Sequence, residues 1–360
     1  MRIALVRRGY SATGGAEAYL RRLAQGLVET GEEVIFYTSA EWPTAAWEYG
    51  EVRRIPGHSP LTFARALQSS KKDFDCLLSL ERILGCDLYR AGDGVHASWL
   101  QRRARFESPW RRWLRGLNRK HTEILKLERV IFDPRHTGII VANSRMVQEE
   151  IAKYYQFPKE RILLIPNGFF APAFSFEDRI RIRQKYGFSA EETVVLFTGT
   201  GWERKGLRFA VRAIDALQGR AKLLVAGRGP SRKYAGSHTV FAGPVSHMAA
   251  LYMAADIFLL PTLYDPFSNA CLEALAAGLP VITTLSNGFS EVLENSALGD
   301  RVEVGDDQAL IQALERWLPA EVRKKTRQIR IQIASRFSME ENIRNTLNAI
   351  RIAIETRASY

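Results

Sequence analysis

The stretch at residues 264–284, "YDPFSNACLEALAAGLPVITT", decides how the chain is read. It opens with the turn-forming residues Asp265, Pro266, Ser268 and Asn269 and runs into an apolar segment around Cys271, Leu272, Ala274 and Leu275. Gly278 then closes that segment before the β-branched run Val281, Ile282, Thr283, Thr284. This order is loop, helix, strand. Two carboxylates, Asp265 and Glu273, bracket the helix start with seven residues between them. A helix N-terminus draws anions through its free N–H groups and its dipole, and a carboxylate accepts hydrogen bonds from hydroxyls. A ligand carrying both phosphate and hydroxyl groups fits the pair.

The same alternation extends in both directions. At the start, the strand candidate 3–6 leads through "RRGYSATGG" to a helix over about 16–30, ended by Gly31, and "EVIFYTS" at 33–39 forms the next strand. Further strand candidates lie at 76–79, 88–90 and 139–142. A second series follows at 194–197, 222–226, 239–242, 257–260 and 281–284, with helical stretches between. Strands alternating with helices form mostly parallel sheets covered by helices. "LLIPNGFFAPAF" at 163–174, with two prolines and a Pro-Asn-Gly turn, suits a connection between domains. The expected fold is therefore α/β, two doubly wound Rossmann-like domains at 1–167 and 168–337, facing one another across a cleft. From Ser338 a last amphipathic helix starts, with Ile343, Leu347, Ile350 and Ile354 at helical spacing; residues 338–360 are expected to pack back on the first domain.

In doubly wound sheets ligands sit beyond the carboxyl ends of the strands, so the loops there hold the candidate chemistry. Thr13-Gly14-Gly15 precedes a helix and lets a phosphate approach backbone N–H groups without a Cβ in the way. It matches neither the dinucleotide fingerprint nor the lysine-ended P-loop. "FTGTGWERKG" at 197–206 opens with Gly199 and Gly201 and sets Arg204 and Lys205 beside a helix start. Positive charge there opposes the helix dipole unless an anion joins it, and a diphosphate is such an anion. "YRAGDGVHASW" at 89–99 carries Asp93 between two glycines and then His96, a polar loop after a strand of the first half.

At 360 residues and 46% hydrophobic content the chain can build two packed cores. The apolar run near its start covers only residues 3–6, far short of a signal-peptide core, and no run reaches the roughly 18 residues a membrane span needs. Cys76, Cys86 and Cys271 lie apart, without metal-ligand spacing, so neither disulfides nor a zinc site are expected and a reducing cytoplasm is the natural compartment. The 51 basic residues exceed the 39 acidic ones, giving +12, and the excess concentrates at 102–129. There Arg102, Arg103, Arg105, Arg111, Arg112, Arg115, Arg119, Lys120, Lys126 and Arg129 face only Glu107, Glu123 and Glu128. Trp99, Phe106, Trp110 and Trp113 interleave with them, the composition of a surface resting on anionic lipid headgroups. Nucleic acid is the other polyanion such a patch could serve, but no recognised binding motif accompanies it.

Asp265, Glu273 and the following "EALAAGLPVITT" resemble the donor-binding signature of the retaining glycosyltransferases of family 4, which have the GT-B fold. Within that family the chain most resembles the bacterial glucosyltransferases that extend the lipopolysaccharide inner core. The resemblance spans nearly the whole chain. It implies that Gly14 and Gly15 contact phosphate, that Arg204 and Lys205, beside Gly199, hold the diphosphate, and that Asp265 grips the transferred sugar. Phe267, Ser268, Asn269 and Ala270 would supply the turn around that sugar and phosphate, and Glu273 would accept from the ribose hydroxyls. Gly227, Arg228 and Val245 would lie near the nucleobase. Asp265 stands where Glu is usual, which leaves the sugar open.

The resemblance further implies a same-face substitution in which the donor phosphate takes the acceptor proton, with no enzymic nucleophile and no metal. Asp93 or His96 would meet the transferred sugar or the acceptor, and the choice between them stays open. No cofactor is expected; the donor is a nucleotide sugar, with uridine preferred because the resembling enzymes use it. Residues 99–129 match in position a membrane-contacting region, so the expected partners are a lipopolysaccharide core or other lipid-linked glycan and the inner face of the cell membrane. Two other functions remain at this point: a nucleotide-sugar epimerase of the same fold, and a basic non-enzymatic binding protein.

Overall fold

The computed structural model describes residues 1–11, 15–70, 72–108, 110, 118–170 and 174–358. The chain divides into two units, Met1–Gly168 with Met339–Tyr360, and Phe169–Ser338. In the first, strands β1 (Arg2–Val6), β2 (Glu33–Thr38), β3 (Glu51–Arg54), β4 (Cys76–Ser79), β5 (Cys86–Arg90), β6 (Thr137–Ala142) and β7 (Ile162–Leu164) form a sheet. Its order is β3-β2-β1-β4-β5-β6-β7 and every pairing is parallel. Around it lie α1 (Gly15–Glu29), α2 (Pro60–Gln68), α3 (His96–Ala104), α4 (Arg119–Ile131) and α5 (Arg145–Tyr155).

The strand sequences show why the sheet is sandwiched. Ile3, Ala4, Leu5 and Val6 are all buried, the unbroken apolar run of a strand covered on both faces. Alternate residues serve opposite cores: Ile3 and Leu5 pack with Leu20, Leu23 and Leu27 of α1, while Ala4 and Val6 pack with Phe63 of α2, Leu127 of α4 and Val147 of α5.

The second unit repeats the plan. Helix α6 (Phe176–Tyr186) leads into β8 (Val194–Thr198), α7 (Leu207–Ala216), β9 (Lys222–Ala226), β10 (Thr239–Gly243), α8 (Met248–Ala254), β11 (Ile257–Leu260), α9 (Asn269–Ala276), β12 (Val281–Thr284) and β13 (Gly299–Val302). Helices α10 (Asp307–Trp317), α11 (Ala320–Lys325) and α12 (Arg327–Ala334) follow. The sheet order is β10-β9-β8-β11-β12-β13, again parallel throughout. Both sheets are doubly wound: the chain reverses direction across each sheet between β1 and β4, and between β8 and β11. A crevice opens at the carboxyl ends of the strands at such a switch point.

Helix α13 (Met339–Ala358) belongs to the first unit. Where the chain leaves and re-enters the second unit the two passes are tied, Phe169 N–H donating to the Phe337 carbonyl at 3.0 Å. The Tyr19 hydroxyl on α1 donates to Asn342 Oδ1 at 2.8 Å, and Asn342 Nδ2 donates to the Pro166 carbonyl at 2.6 Å. Ile343, Leu347 and Ile350 enter the same core as Ile3 and Leu5. Three strands escape the sequence pattern. β3 is a polar, half-exposed edge strand, "EVRR"; β13 reads "GDRV"; and β7 is three residues long inside the stretch expected to be a connection. Residues 171–173 of that stretch lie outside the described residues.

The contact of α1 with α13 is close because Gly26 has no side chain: a Cβ there would collide with the Ile343 side chain. Gly26→Leu should lower the stability of this unit by about 1–3 kcal/mol through overpacking and expose α13 to trypsin at Arg351. An unchanged urea midpoint with an unchanged digestion pattern would contradict that packing.

Candidate active site

In the second unit the switch point lies between the loops after β8 and β11, and backbone geometry fixes both. Gly227 and Gly206 each have positive φ, +124° and +78°, and a Cβ would collide with the Gly199 carbonyl oxygen in the one case and the Pro261 carbonyl oxygen in the other. The strand ends can therefore approach only with glycine at these positions. Trp202 is buried, donates its indole N–H to the Gly199 carbonyl at 2.9 Å and packs its ring against Phe241. The two loops are joined at Arg204, whose carbonyl accepts from Leu263 N–H at 2.8 Å and from the Thr262 hydroxyl at 2.9 Å.

This framework brings Lys205 to Asp265. Lys205 Nζ donates to Asp265 Oδ2 at 2.5 Å. Arg204 Nη1 lies 3.8 Å from the same oxygen and donates to the Tyr264 carbonyl at 2.9 Å. Burial pushes the Asp265 carboxyl up, and the charges of Lys205 and Arg204 more than reverse the effect, leaving it below the usual carboxylate range. Asp265 is thus an ionised, buried acceptor. Its backbone is held as well, N–H to the Ser286 carbonyl at 3.0 Å and carbonyl to Gly288 N–H at 2.9 Å.

Ser268 caps α9 through its hydroxyl, which accepts from Cys271 N–H at 3.4 Å, and Asn269 and Ala270 are the helix's first residues. The Phe267 side chain points away from the loop surface, against Phe289 and Phe337 at 5.4 and 6.1 Å; its place in the turn is a backbone one. Glu273, one turn into α9, accepts from the Tyr252 hydroxyl of α8 at 2.9 Å. Burial first, and then the Glu273 charge, raises the Tyr252 phenol well above its ordinary value, so it stays a donor. Arg228, after β9, is exposed, and Val245, after β10, is half-buried.

In the first unit Gly15 is the exposed first residue of α1, while Gly14 lies outside the described residues. Asp93 sits 3.3 Å from Arg7 Nη1 and 3.9 Å from Arg82 Nη1. His96 starts α3, and the positive end of that helix is already met from within: the buried Glu128 carboxylate accepts from His96 N–H at 2.6 Å and Ala97 N–H at 3.0 Å. His96 Nε2 shares a hydrogen bond with His121 Nδ1 at 3.0 Å. Burial, then the charges of Arg82, His121 and Lys120, push its imidazole down to about 3, so it is neutral at physiological pH. Asp93 and His96 therefore share one loop, one as a paired carboxylate and the other as a neutral ring.

Glu128, Tyr252, Thr262 and Asn287 support these groups and were not singled out from the sequence. Asn287 is fully buried, donates to Thr283 Oγ1 at 2.9 Å and accepts from Phe289 N–H at 3.1 Å. Its Asn-Gly pair after a strand is the one signal that could have marked it. The other three sit in apolar or charged helical stretches, or beside a proline, and carry no such signal.

The chain matches the family Glycosyltransferase Family 4 over residues 13–169 and Glycosyl transferases group 1 over residues 192–319. It is 25% identical to an uncharacterised glycosyltransferase of Methanocaldococcus jannaschii, covering 99% of both chains. It is 24% identical to the lipopolysaccharide glucosyltransferase WaaG of Escherichia coli K12, over 81% of this chain and 82% of the relative. The crystal structure of WaaG, a glycosyltransferase involved in lipopolysaccharide biosynthesis, superposes with a TM-score of 0.80 at 22% identity, covering 97% and 99% of the two chains. The structure of Anabaena HepE in complex with UDP and glucose gives 0.73 at 16% identity, covering 97% and 99%.

The His96 environment sets a pH dependence. Its folded-state pKa lies below the unfolded value of about 6.5, so between about 3 and 6.5 the unfolded chain binds the extra proton and stability rises with pH. Going from pH 7 to pH 5 should therefore weaken the fold. His96→Gln should remove part of that slope, read by urea denaturation at the two pH values; identical slopes would contradict a neutral, half-buried His96.

Proposed function

Since the chain belongs to the family 4 glycosyltransferases of the GT-B fold, we propose that it moves a hexose from a UDP-sugar to a lipopolysaccharide core or other lipid-linked glycan. Transfer proceeds with retention of configuration, without a metal, at the inner face of the cell membrane. The observation that carries the donor half of this reading is the Lys205–Asp265 pair with Arg204 beside it, in the loop that leads into α9, while Glu273 within α9 is held by the Tyr252 hydroxyl. Two cations and a capped helix end suit a diphosphate; two carboxylates suit sugar and ribose hydroxyls.

The pairing also suggests an order of events. With no donor bound, Lys205 and Asp265 neutralise each other. A diphosphate offers Lys205 a stronger partner, and its arrival leaves the Asp265 oxygens for the hydroxyls of the sugar. As the bond to the anomeric carbon lengthens, positive charge grows on the sugar and negative charge on the leaving diphosphate. Arg204 and Lys205 stabilise the latter, preorganised by the loop beneath them. The leaving phosphate takes the acceptor proton on the same face, so no enzymic nucleophile enters the scheme. Uridine is supported by the UDP in HepE, and the lipopolysaccharide acceptor by the name of WaaG.

Membrane contact is assigned to residues 99–129. Trp110 is 59% exposed and Arg105 is exposed. Arg102 and Arg103 are engaged by Glu150 and Glu107, at 2.7 and 2.5 Å, which leaves fewer free cations than the sequence suggests. Arg111, Arg112, Trp113 and Arg115 lie outside the described residues. Among the described residues no helix is long and apolar enough to cross a membrane.

Lys205→Ala should weaken UDP binding by about 1.5–3 kcal/mol, the range for a hydrogen bond to a charged group, while leaving uridine binding unchanged. Glu273→Ala should weaken both, since ribose is common to them. Calorimetry giving equal losses for uridine and UDP in Lys205→Ala would overturn the assignment.

Sedimentation with anionic vesicles tests the membrane half. Each cation near a charged bilayer adds about 1 kcal/mol, so replacing Arg111, Arg112 and Arg115 together by Ser should release the protein without changing UDP affinity. Wild-type binding indifferent to lipid charge would refute it.

A further inference from the structure

In the first unit, Arg90 at the carboxyl end of β5 is a cation without a counter-charge among the described residues. It is 5% exposed, and its guanidinium carbon lies over the Tyr19 ring, 3.8 Å from the centroid. Among the described residues only one of its donors is used: Nη2 donates to Asn167 Oδ1 at 2.5 Å. Nε is buried with no hydrogen-bond partner, no described residue accepts from Nη1, and no described carboxylate pairs with it. A buried charge is retained when something satisfies it, and a neutral amide plus an aromatic face leave most of a guanidinium's five donors idle.

The backbone beside Arg90 leaves room for a partner. A Cβ on Gly92 would stand 2.7 Å from Nη1 and meet no other group closely, so glycine at this position keeps the approach to Nη1 clear. Also beside Gly92, Asn143 is 1% exposed; its Nδ2 reaches the Gly92 carbonyl at 3.5 Å and its Oδ1 is buried without a partner among the described residues. Idle donors and an idle acceptor beside the same glycine are complementary to a group carrying anionic oxygens and a hydroxyl. The two carboxylates nearest in sequence are engaged elsewhere, Asp93 by Arg7 and Arg82 and Asp87 by the Leu77 N–H and Arg357.

We propose that Arg90, Gly92 and Asn143 form an anion-binding subsite that receives the phosphate of a sugar phosphate, with Arg90 taking the phosphate oxygens and Asn143 Oδ1 a sugar hydroxyl. The inference adds to the donor reading of the second unit and does not rest on it. Phosphate could arrive on the nucleotide or on the acceptor glycan, and two arms separate the sources. Calorimetry measures UDP alone, and then glucose 6-phosphate in the presence of saturating UDP.

An acceptor-side subsite gives unchanged UDP affinity in Arg90→Gln and a loss on the order of tenfold for glucose 6-phosphate. A donor-side subsite gives the loss in the UDP arm. Gly92→Ala keeps the charge but blocks the approach, and should reproduce the loss at an unchanged melting temperature, which guards against a variant that merely misfolds. The proposal fails if folded Arg90→Gln and Gly92→Ala bind both ligands as the wild type does, or if the wild type binds neither.

Discussion

Lys205 and Asp265 come from loops sixty residues apart, and their contact requires that β8 and β11 be neighbours. The sheet order makes them so, because the chain reverses direction there. Everything around the pair keeps the two loop ends in register: Arg204 accepts from Leu263 and Thr262, Gly206 lies against the Pro261 carbonyl, and Gly227 against the Gly199 carbonyl. Asp265 is buried and Lys205 half-buried, and a buried charge left without its partner destabilises strongly. The site is therefore coherent only when both members have partners, each other or a ligand that satisfies both.

The fold was legible where burial on both faces forces an apolar strand. Residues 3–6, 76–78 and 194–197 are continuous hydrophobic runs, and all lie in strands. β3, β7 and β13 were illegible because edge or very short strands need no such run: Glu51, Arg53 and Arg54 serve an edge as well as valine would. The loop-helix-strand order of residues 264–284 holds as α9 and β12, with Ser268 as the cap.

Site residues divide in a similar way. Asp265, Glu273, Arg204 and Lys205 could be picked out because charged groups beside a helix start lack a structural excuse. Their supports could not be. Tyr252 and Glu128 sit in helices whose other residues explain themselves by packing, and only the fold shows that their polar atoms point at Glu273 and at the start of α3. The Lys205–Asp265 contact itself was also hidden, since the sequence presents the lysine as a phosphate ligand and the aspartate as a sugar ligand, each on its own.

The charge of +12 shows the same limit of composition. Several arginines are structural straps and not polyanion contacts. Arg183, 4% exposed in its side chain, donates to the Ala254, Ser189 and Glu192 carbonyls and to Asp256. Arg330 donates to the Gly278 and Ala297 carbonyls, the Thr326 hydroxyl and the Arg323 carbonyl. Burial, then Arg327 and Arg323, push it down only to about 10, so it stays charged. A strap of this kind spreads its donors over acceptors that would otherwise be unmet. Arg90 is as buried as these yet reaches a single, neutral acceptor among the described residues. Its neighbours hold the guanidinium in place without satisfying it, and a side chain positioned but unsatisfied beyond the end of a parallel strand is where a doubly wound sheet receives its ligand.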